Sequence, residues 1–500
     1  MPQTALFNED DASVDGPMPS ALALTGQVAQ ERSLLPPIET IPTEILDTIF
    51  TIVHESSEYS LTISWLNLYP LSLPLSQVCS RWRRITHSRP SLWASIFIDA
   101  DRVRSRKTRH IVKLHLEKAG SHPLRIKLYV RPNVLRSTFG SDVLRMIIPE
   151  LQRCEEFMFY GDWLVLAKAA HCDSSFNFPH LRALSTNFPS SALVETMESV
   201  TPDFRWFLRA LKNAPKLATV ESHAFVDPEA LPFHQLTTVQ YRDPLKIAQM
   251  AHLLLSCPNL KKLVITSIIS DPGPPKVIVH SSLQELSMPT HHTHLADNVR
   301  SLAQVSFPAL RMLEMDIHGG GTTRDSITPA SAVASIIQHF SASLQKVVLT
   351  RRGLNVHKTF YRDILHICPN LHCFAIEVHL RGYCNSEVNY QSESILDLIQ
   401  SLTITDTSQP FLAPKLTKLC VHDYRSSMTT EYATNFLDMV ESRSAGIGVT
   451  GLTDAVLTYS AQQWDIQPGL NHINDSSIGE RIRLLSRKGI RCMIRAICDD

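Results

Sequence analysis

One short pattern returns along most of this chain, and it dictates how the backbone must run. Six copies open with Pro-x-Leu and continue with Leu-x-apolar alternation: PHLRAL at Pro179, PKLATV at Pro215, PNLKKL at Pro258, PALRML at Pro308, PNLHCF at Pro369 and PKLTKL at Pro414. Three more copies, beginning at Leu236, Leu283 and Leu344, lack the proline. Apolar residues at alternate positions after a turn describe a short strand with one face turned inward. Met288, Met315, Leu349, Ile376 and Val421 take the last inward place. Helical patterns stand ahead of many copies: DFRWFLRALKNA before Pro215, IAQMAHLLLSC before Pro258, SAVASIIQHF before Leu344 and YRDILHIC before Pro369. The repeated unit is thus a helix followed by a strand, too small to bury its apolar face alone, so the units must stack. The expected fold class is α/β: a solenoid of parallel strands alternating with helices.

The flanks fit this plan. RHIVKLHLEKAG reads as a helix ended by Gly120 and PLRIKLYV, from Pro123, as a strand, so residues 99–175 are expected to form a connecting segment and first irregular repeat. The repeats proper are placed at 176–425. Beyond them EYATNFLDMVESR leads to GLTDAVLTY, and ERIRLLSRKGI leads to RCMIRAI, which predicts a capping repeat over 426–500. Residues 1–35 hold few aromatics and no period, the composition of a disordered leader.

Between leader and repeats, residues 36–98 read as a helical domain. In IPTEILDTIF, Pro42 falls in the first turn, and Ile45, Leu46, Ile49, Phe50 and Val53 recur at helical spacing. A second helix, LSQVCSRWRRI, puts Leu75, Val78, Cys79, Trp82 and Ile85 on one stripe, with Arg81, Arg83 and Arg84 around Trp82. Pro90 stops it, and Leu92 and Trp93 follow. So short a segment buries too little surface to be stable alone, so its apolar groups must cover the following domain or another protein.

These residues resemble the F-box family, whose pattern runs Leu-Pro-x-Glu-Ile-Leu, an apolar helix, Val-Cys-x-x-Trp-Arg and a final Leu-Trp. The matching positions are Pro42, Glu44, Ile45, Leu46, Ile49, Phe50, Val78, Cys79, Trp82, Arg83, Leu92 and Trp93. Ile41 stands where the family carries Leu, and His54 to Pro74 make a longer connection than the compact motif has. The repeats resemble leucine-rich repeats, but lie about 19 to 45 residues apart and place no Asn or Cys at the ladder position. The whole is similar to F-box proteins of the fungal type with irregular leucine-rich repeats. That resemblance implies a non-catalytic, substrate-recognition subunit of a cullin-based (SCF-type) ubiquitin ligase. Ile41, Pro42, Ile45, Leu46, Ile49, Leu75, Val78, Trp82 and Trp93 would bind a Skp-type adaptor, and through it a cullin, while the repeats bind a substrate protein. The alternative is a leucine-rich-repeat interaction scaffold acting outside any ligase, with the helical pair only a cap.

Composition excludes several other classes. Lys and Arg number 48 against 48 Asp and Glu, so the whole chain has no drive toward nucleic acid or an anionic membrane. The basic group Arg102, Arg104, Arg106, Lys107 and Arg109 reads as a solvated helix face, since no aromatic residues are interleaved with it. Ten scattered cysteines without Cys-x-x-Cys pairs, and no secretory leader, point to reduced thiols inside the cell, in cytoplasm or nucleus. No catalytic residue, cofactor or metal is expected. Gly446, Gly448 and Gly451 spell G-x-G-x-x-G without the preceding strand that a pyrophosphate site needs. His318 with Gly319 to Gly321 has no G-x-S-x-G serine to serve. His291, His292 and His294, and His366, Cys368, His372 and Cys373, lack zinc-site spacing.

Overall fold

Five of the six proline-led copies of the repeat close a hydrogen-bonded turn before entering the sheet. In Cys257-Pro258-Asn259-Leu260 the Leu260 N–H donates to the Cys257 carbonyl at 3.1 Å, with proline at the position whose φ it presets. The same bond recurs from Leu310 to Phe307 (3.0 Å), Leu371 to Cys368 (3.2 Å) and Leu416 to Ala413 (3.1 Å). The next two N–H groups both donate to one carbonyl of the preceding unit: Lys261 and Lys262 to Thr237, Arg311 and Met312 to Gln284, His372 and Cys373 to Gln345. This backbone ladder does the work of the side-chain ladder that the sequence lacks.

The computed structural model describes residues 40–64, 68–103, 105–131, 138–161, 165–166, 177–187, 209–226, 231–269, 277–318, 328–352, 356–379, 389–405, 411–424, 430–445, 449–460 and 476–497. The expected leader, Arg104, Gly319 to Gly321, Gly446, Gly448 and the first half of DFRWFLRALKNA lie outside the described residues. Sixteen of the described strands form one sheet, in chain order except that the first two are exchanged, from Leu68–Pro70 and Leu61–Ile63 through Ser95–Asp99 and Leu124–Val130 to Asp454–Ser460 and Arg491–Ile497. Every neighbouring pair is parallel except the first. All nine repeat copies supply a strand, and their inward residues align: Leu263, Leu286, Leu313, Val347, Phe374 and Leu419 are buried side by side. Helices cover that face, each burying one stripe: Met250, Leu253 and Leu254 from Ile247–Ser256, and Val333, Ile336 and Ile337 from Pro329–Phe340. The fold is an α/β, leucine-rich-repeat-like solenoid behind an N-terminal helical domain. GLTDAVLTY and RCMIRAI continue the sheet in register as its last two strands.

The helical domain consists of α1 (Thr43–Glu55), α2 (Ser72–Gln77), α3 (Ser80–His87) and the single turn Pro90–Trp93. Two expectations need correction. Pro42 is the N-cap of α1, with ψ at 147°, rather than a first-turn residue. The second helix, expected to run unbroken from Leu75 to Ile85, is two helices. Cys79 is extended, at φ −155° and ψ 173°, and its Sγ accepts the Trp82 N–H at 3.5 Å, so a thiol caps a new helix. Arg83 Nε donates to the Ser76 carbonyl at 3.0 Å, occupying an acceptor near the end of α2.

The long connection between α1 and α2 accounts for the departure from the compact motif. Leu61–Ile63 and Leu68–Pro70 form an antiparallel pair, and Leu61–Ile63 then pairs in parallel with Ser95–Asp99. The insertion is therefore the first part of the solenoid's sheet, and the two regions share one core. Trp93 seals the join: its Nε1 donates to the Thr86 carbonyl at 2.8 Å, and its ring meets that of His115, on Arg106–Ala119, edge to face at 4.9 Å.

Candidate functional site

Helix α1 carries two apolar arcs side by side. At 3.6 residues per turn Leu46, Phe50 and Val53 span about 60°, and Ile45, Ile49 and Ile52 a neighbouring arc of about 60°. The first arc faces the core: Leu46 and Phe50 are buried, and the Phe50 ring meets Trp82 of α3 edge to face at 4.8 Å. The second faces outward, with Ile45 51% exposed, Ile49 40% and Ile52 59%. This leaves an open apolar face beside a packed one on the same helix.

The expected adaptor-binding residues divide accordingly. Pro42, Ile45 and Ile49 lie exposed on α1 or at its start, and Val78, 56% exposed, stands at the break between α2 and α3. Ile41, Leu75 and Trp82 are half-buried against the core. Leu46 and Trp93 are 1% and 0% exposed, so neither can touch a partner; their role is to hold α1 and α3 in place. Ile52 belongs to the open face and was missed, although its spacing from Ile45 and Ile49 is the i, i+4, i+7 signal for one helix side. Leu68 and Tyr69 on the edge strand are exposed as well.

Polar contacts fix the geometry of this region. Arg81 donates to the Ile41 carbonyl and to Thr43 Oγ1, tying α3 to the start of α1. Arg89 pairs with Asp47 on α1. Burial, and next the charge of Arg125, lower the pKa of His54 near the end of α1, which favours its neutral form. The arrangement can bind, by covering apolar surface.

The remaining candidates are placed as follows. Among the described residues no group of three or more His, Cys, Asp or Glu is arranged to hold a metal ion. Cys368 is buried at a helix end, whereas Cys373 lies on a strand in the half-buried row of the opposite face. His318 Nε2 lies 3.0 Å from Asp316 on its own strand. Arg102 and Arg109 pair with Asp99 (3.8 Å) and Asp142 (2.9 Å). No helix of the described residues is long and apolar enough to cross a membrane.

Residues 38–99 match the family described as F-box-like. No curated protein matches the chain. Among solved structures, a protein from Bacteroides fragilis aligns at 10% identity and a TM-score of 0.29, over 69% of this chain and 74% of that one. That likeness is too loose to carry an argument. Nothing in these comparisons supports the narrower fungal-type assignment.

Proposed function

We propose that this chain, which carries an F-box-like domain ahead of a leucine-rich-repeat-like solenoid, is the substrate-recognition subunit of a cullin-based ubiquitin ligase. The observation that carries the reading is the open Ile45, Ile49 and Ile52 face of α1 within the matched domain. Together these residues expose about one and a half isoleucine side chains, and covering them contributes about 2–4 kcal/mol to binding. The adaptor-binding set is then Pro42, Ile45, Ile49, Ile52 and Val78, with Ile41, Leu75 and Trp82 at its margin. Residues 36–98 dock, and the solenoid beyond them holds the substrate protein. The mechanism is proximity. A substrate held on the solenoid reaches a high effective concentration near the ubiquitin-charged enzyme, without chemistry from this chain. The shared core between the two regions supports this, because a rigid join fixes where the substrate stands relative to the adaptor.

The test is assembly. The purified chain, mixed with a Skp-type adaptor and a cullin from the same organism, is expected to co-elute with both, and with the cullin only when the adaptor is present. A folded chain that elutes alone would leave the solenoid as a scaffold outside any ligase.

A further inference from the structure

The open face of the sheet changes character toward its C-terminal edge. Alternate residues of each strand point away from the helices, and register sets them in rows. One row runs Val348, Ala375, Cys420, Val456, Met493, apolar across five adjacent strands and half-buried throughout. The row two residues earlier in each strand carries Lys346, Lys418 and Arg491, and Arg495 lies two residues later than Met493. None of these four cations makes an ion pair among the described residues. Elsewhere on the same face cations are neutralised by the neighbouring strand: Arg125 by Glu156 at 2.8 Å, Lys262 by Glu285 at 3.4 Å and Arg352 by Asp316 at 3.4 Å. Three acids stand near the apolar row, and the first, Glu314, is in register with Val348 at the row's outer end, one strand beyond the stripe. Asp454 lies between Lys418 and Arg491 in register but pairs with neither, and Glu377 accepts from Thr350 and lies 3.7 Å from His379.

We propose that this stripe binds an extended acidic segment of a protein partner, its apolar side chains on the central row and its carboxylates toward the four cations. The proposal rests on the substrate-recognition reading and names the substrate class. Unpaired surface cations alone signify little, because solvated lysines are common. Here they flank an apolar row on a surface that the helices do not cover. Strands about 4.8 Å apart make the stripe about 19 Å long, the reach of about six extended residues. A charge-free stripe would retain any apolar peptide, and the cations select the acidic one.

The probe is a fluorescein-labelled octapeptide alternating leucine and glutamate, titrated with the full chain at low and at physiological ionic strength. The parent is expected to bind it, more weakly as salt rises, and not to bind the leucine and lysine counterpart. Lys418→Glu with Arg491→Glu, both exposed positions, is expected to lower affinity about tenfold or more, with the far-UV circular dichroism unchanged. Lys262→Glu, outside the stripe, is expected to bind as the parent does. No binding by the parent, an unaltered double variant, or an equal loss from Lys262→Glu would overturn the proposal. So would binding confined to a phosphoserine version of the peptide. Adaptor affinity measured on the same samples separates the two readings: a chain that binds adaptor but not peptide loses only this proposal, and one that binds peptide but not adaptor loses only the ligase reading.

Discussion

Replacing Trp93 by alanine separates a core residue from a contact residue. The sequence pattern makes Trp93 part of a partner surface, whereas the structure buries it completely between α3 and the first solenoid helix. Truncating a fully buried tryptophan costs about 3–5 kcal/mol through lost transfer energy and the cavity left behind. The Thr86 carbonyl loses its 2.8 Å donor as well, a loss of about 1 kcal/mol if no water replaces it. Against a typical domain stability of about 5–15 kcal/mol that is a large share. In a stacked array it falls on the nearest units, so the N-terminal end should open first. Urea unfolding followed by far-UV circular dichroism should therefore show a lowered midpoint or an early separate phase. Hydrogen exchange should quicken at Leu61–Ile63 and Ser95–Asp99 before the central strands. Trp93→Phe, which keeps most of the packing but not the hydrogen bond, should lose about 1–2 kcal/mol. If Trp93→Ala kept the parent's stability and lost only adaptor affinity, the burial argument would be wrong.

Three further outcomes follow from closely packed groups. Burial lowers His115 to about 4 from an ordinary 6.5, so the unfolded chain takes up a proton that the folded one resists. Stability is then full above pH 6.5 and falls by about 3 kcal/mol as pH drops toward 4, a loss that urea midpoints should record and that His115→Leu should remove. At Gly161 an added Cβ would lie 1.9 Å from the Val130 carbonyl oxygen on the next strand. Gly161→Ala must therefore push two paired strands apart, and a thermal scan should show a lowered transition, by about 2 kcal/mol or more. Arg443 is buried and donates to the Leu412 and Ala413 carbonyls, at 3.1 and 2.8 Å, holding Ala413 at a left-handed φ of 47°. Arg443→Ala should destabilise by about 2–4 kcal/mol in denaturant titrations, with hydrogen exchange faster at 411–416.

The solenoid was legible because its signal is periodic and local. Pro258 through Ile265 alone specify a turn, an inward Leu260, an inward Leu263 and an inward Ile265, and the other copies repeat the inward leucine and the inward residue three places on. The ladder that replaces Asn was not legible, since backbone N–H groups leave no trace in residue type. In the helical domain, composition identified the apolar residues but not their partners. Leu46 and Ile45 are neighbours of similar character, and only the position of α3 and Trp93 decides that one faces inward and the other outward. The break at Cys79 was hidden by a stripe that reads as continuous, because a cysteine is an unusual cap. The connection from His54 to Pro74 departed from the family pattern for a positive reason. It holds Leu61–Ile63, a strand three residues long, too short to read from alternation, yet enough to join the sheet.

The most direct measurement is the affinity of a Skp-type adaptor for the parent chain and for Ile45→Asp with Ile49→Asp, two outward positions whose change leaves the core intact. The account predicts tight binding by the parent and a loss of a hundredfold or more in the variant, as covering about 2–4 kcal/mol of apolar surface gives way to burying unpaired charge. Equal affinity of parent and variant, or no binding by a folded parent, would contradict it.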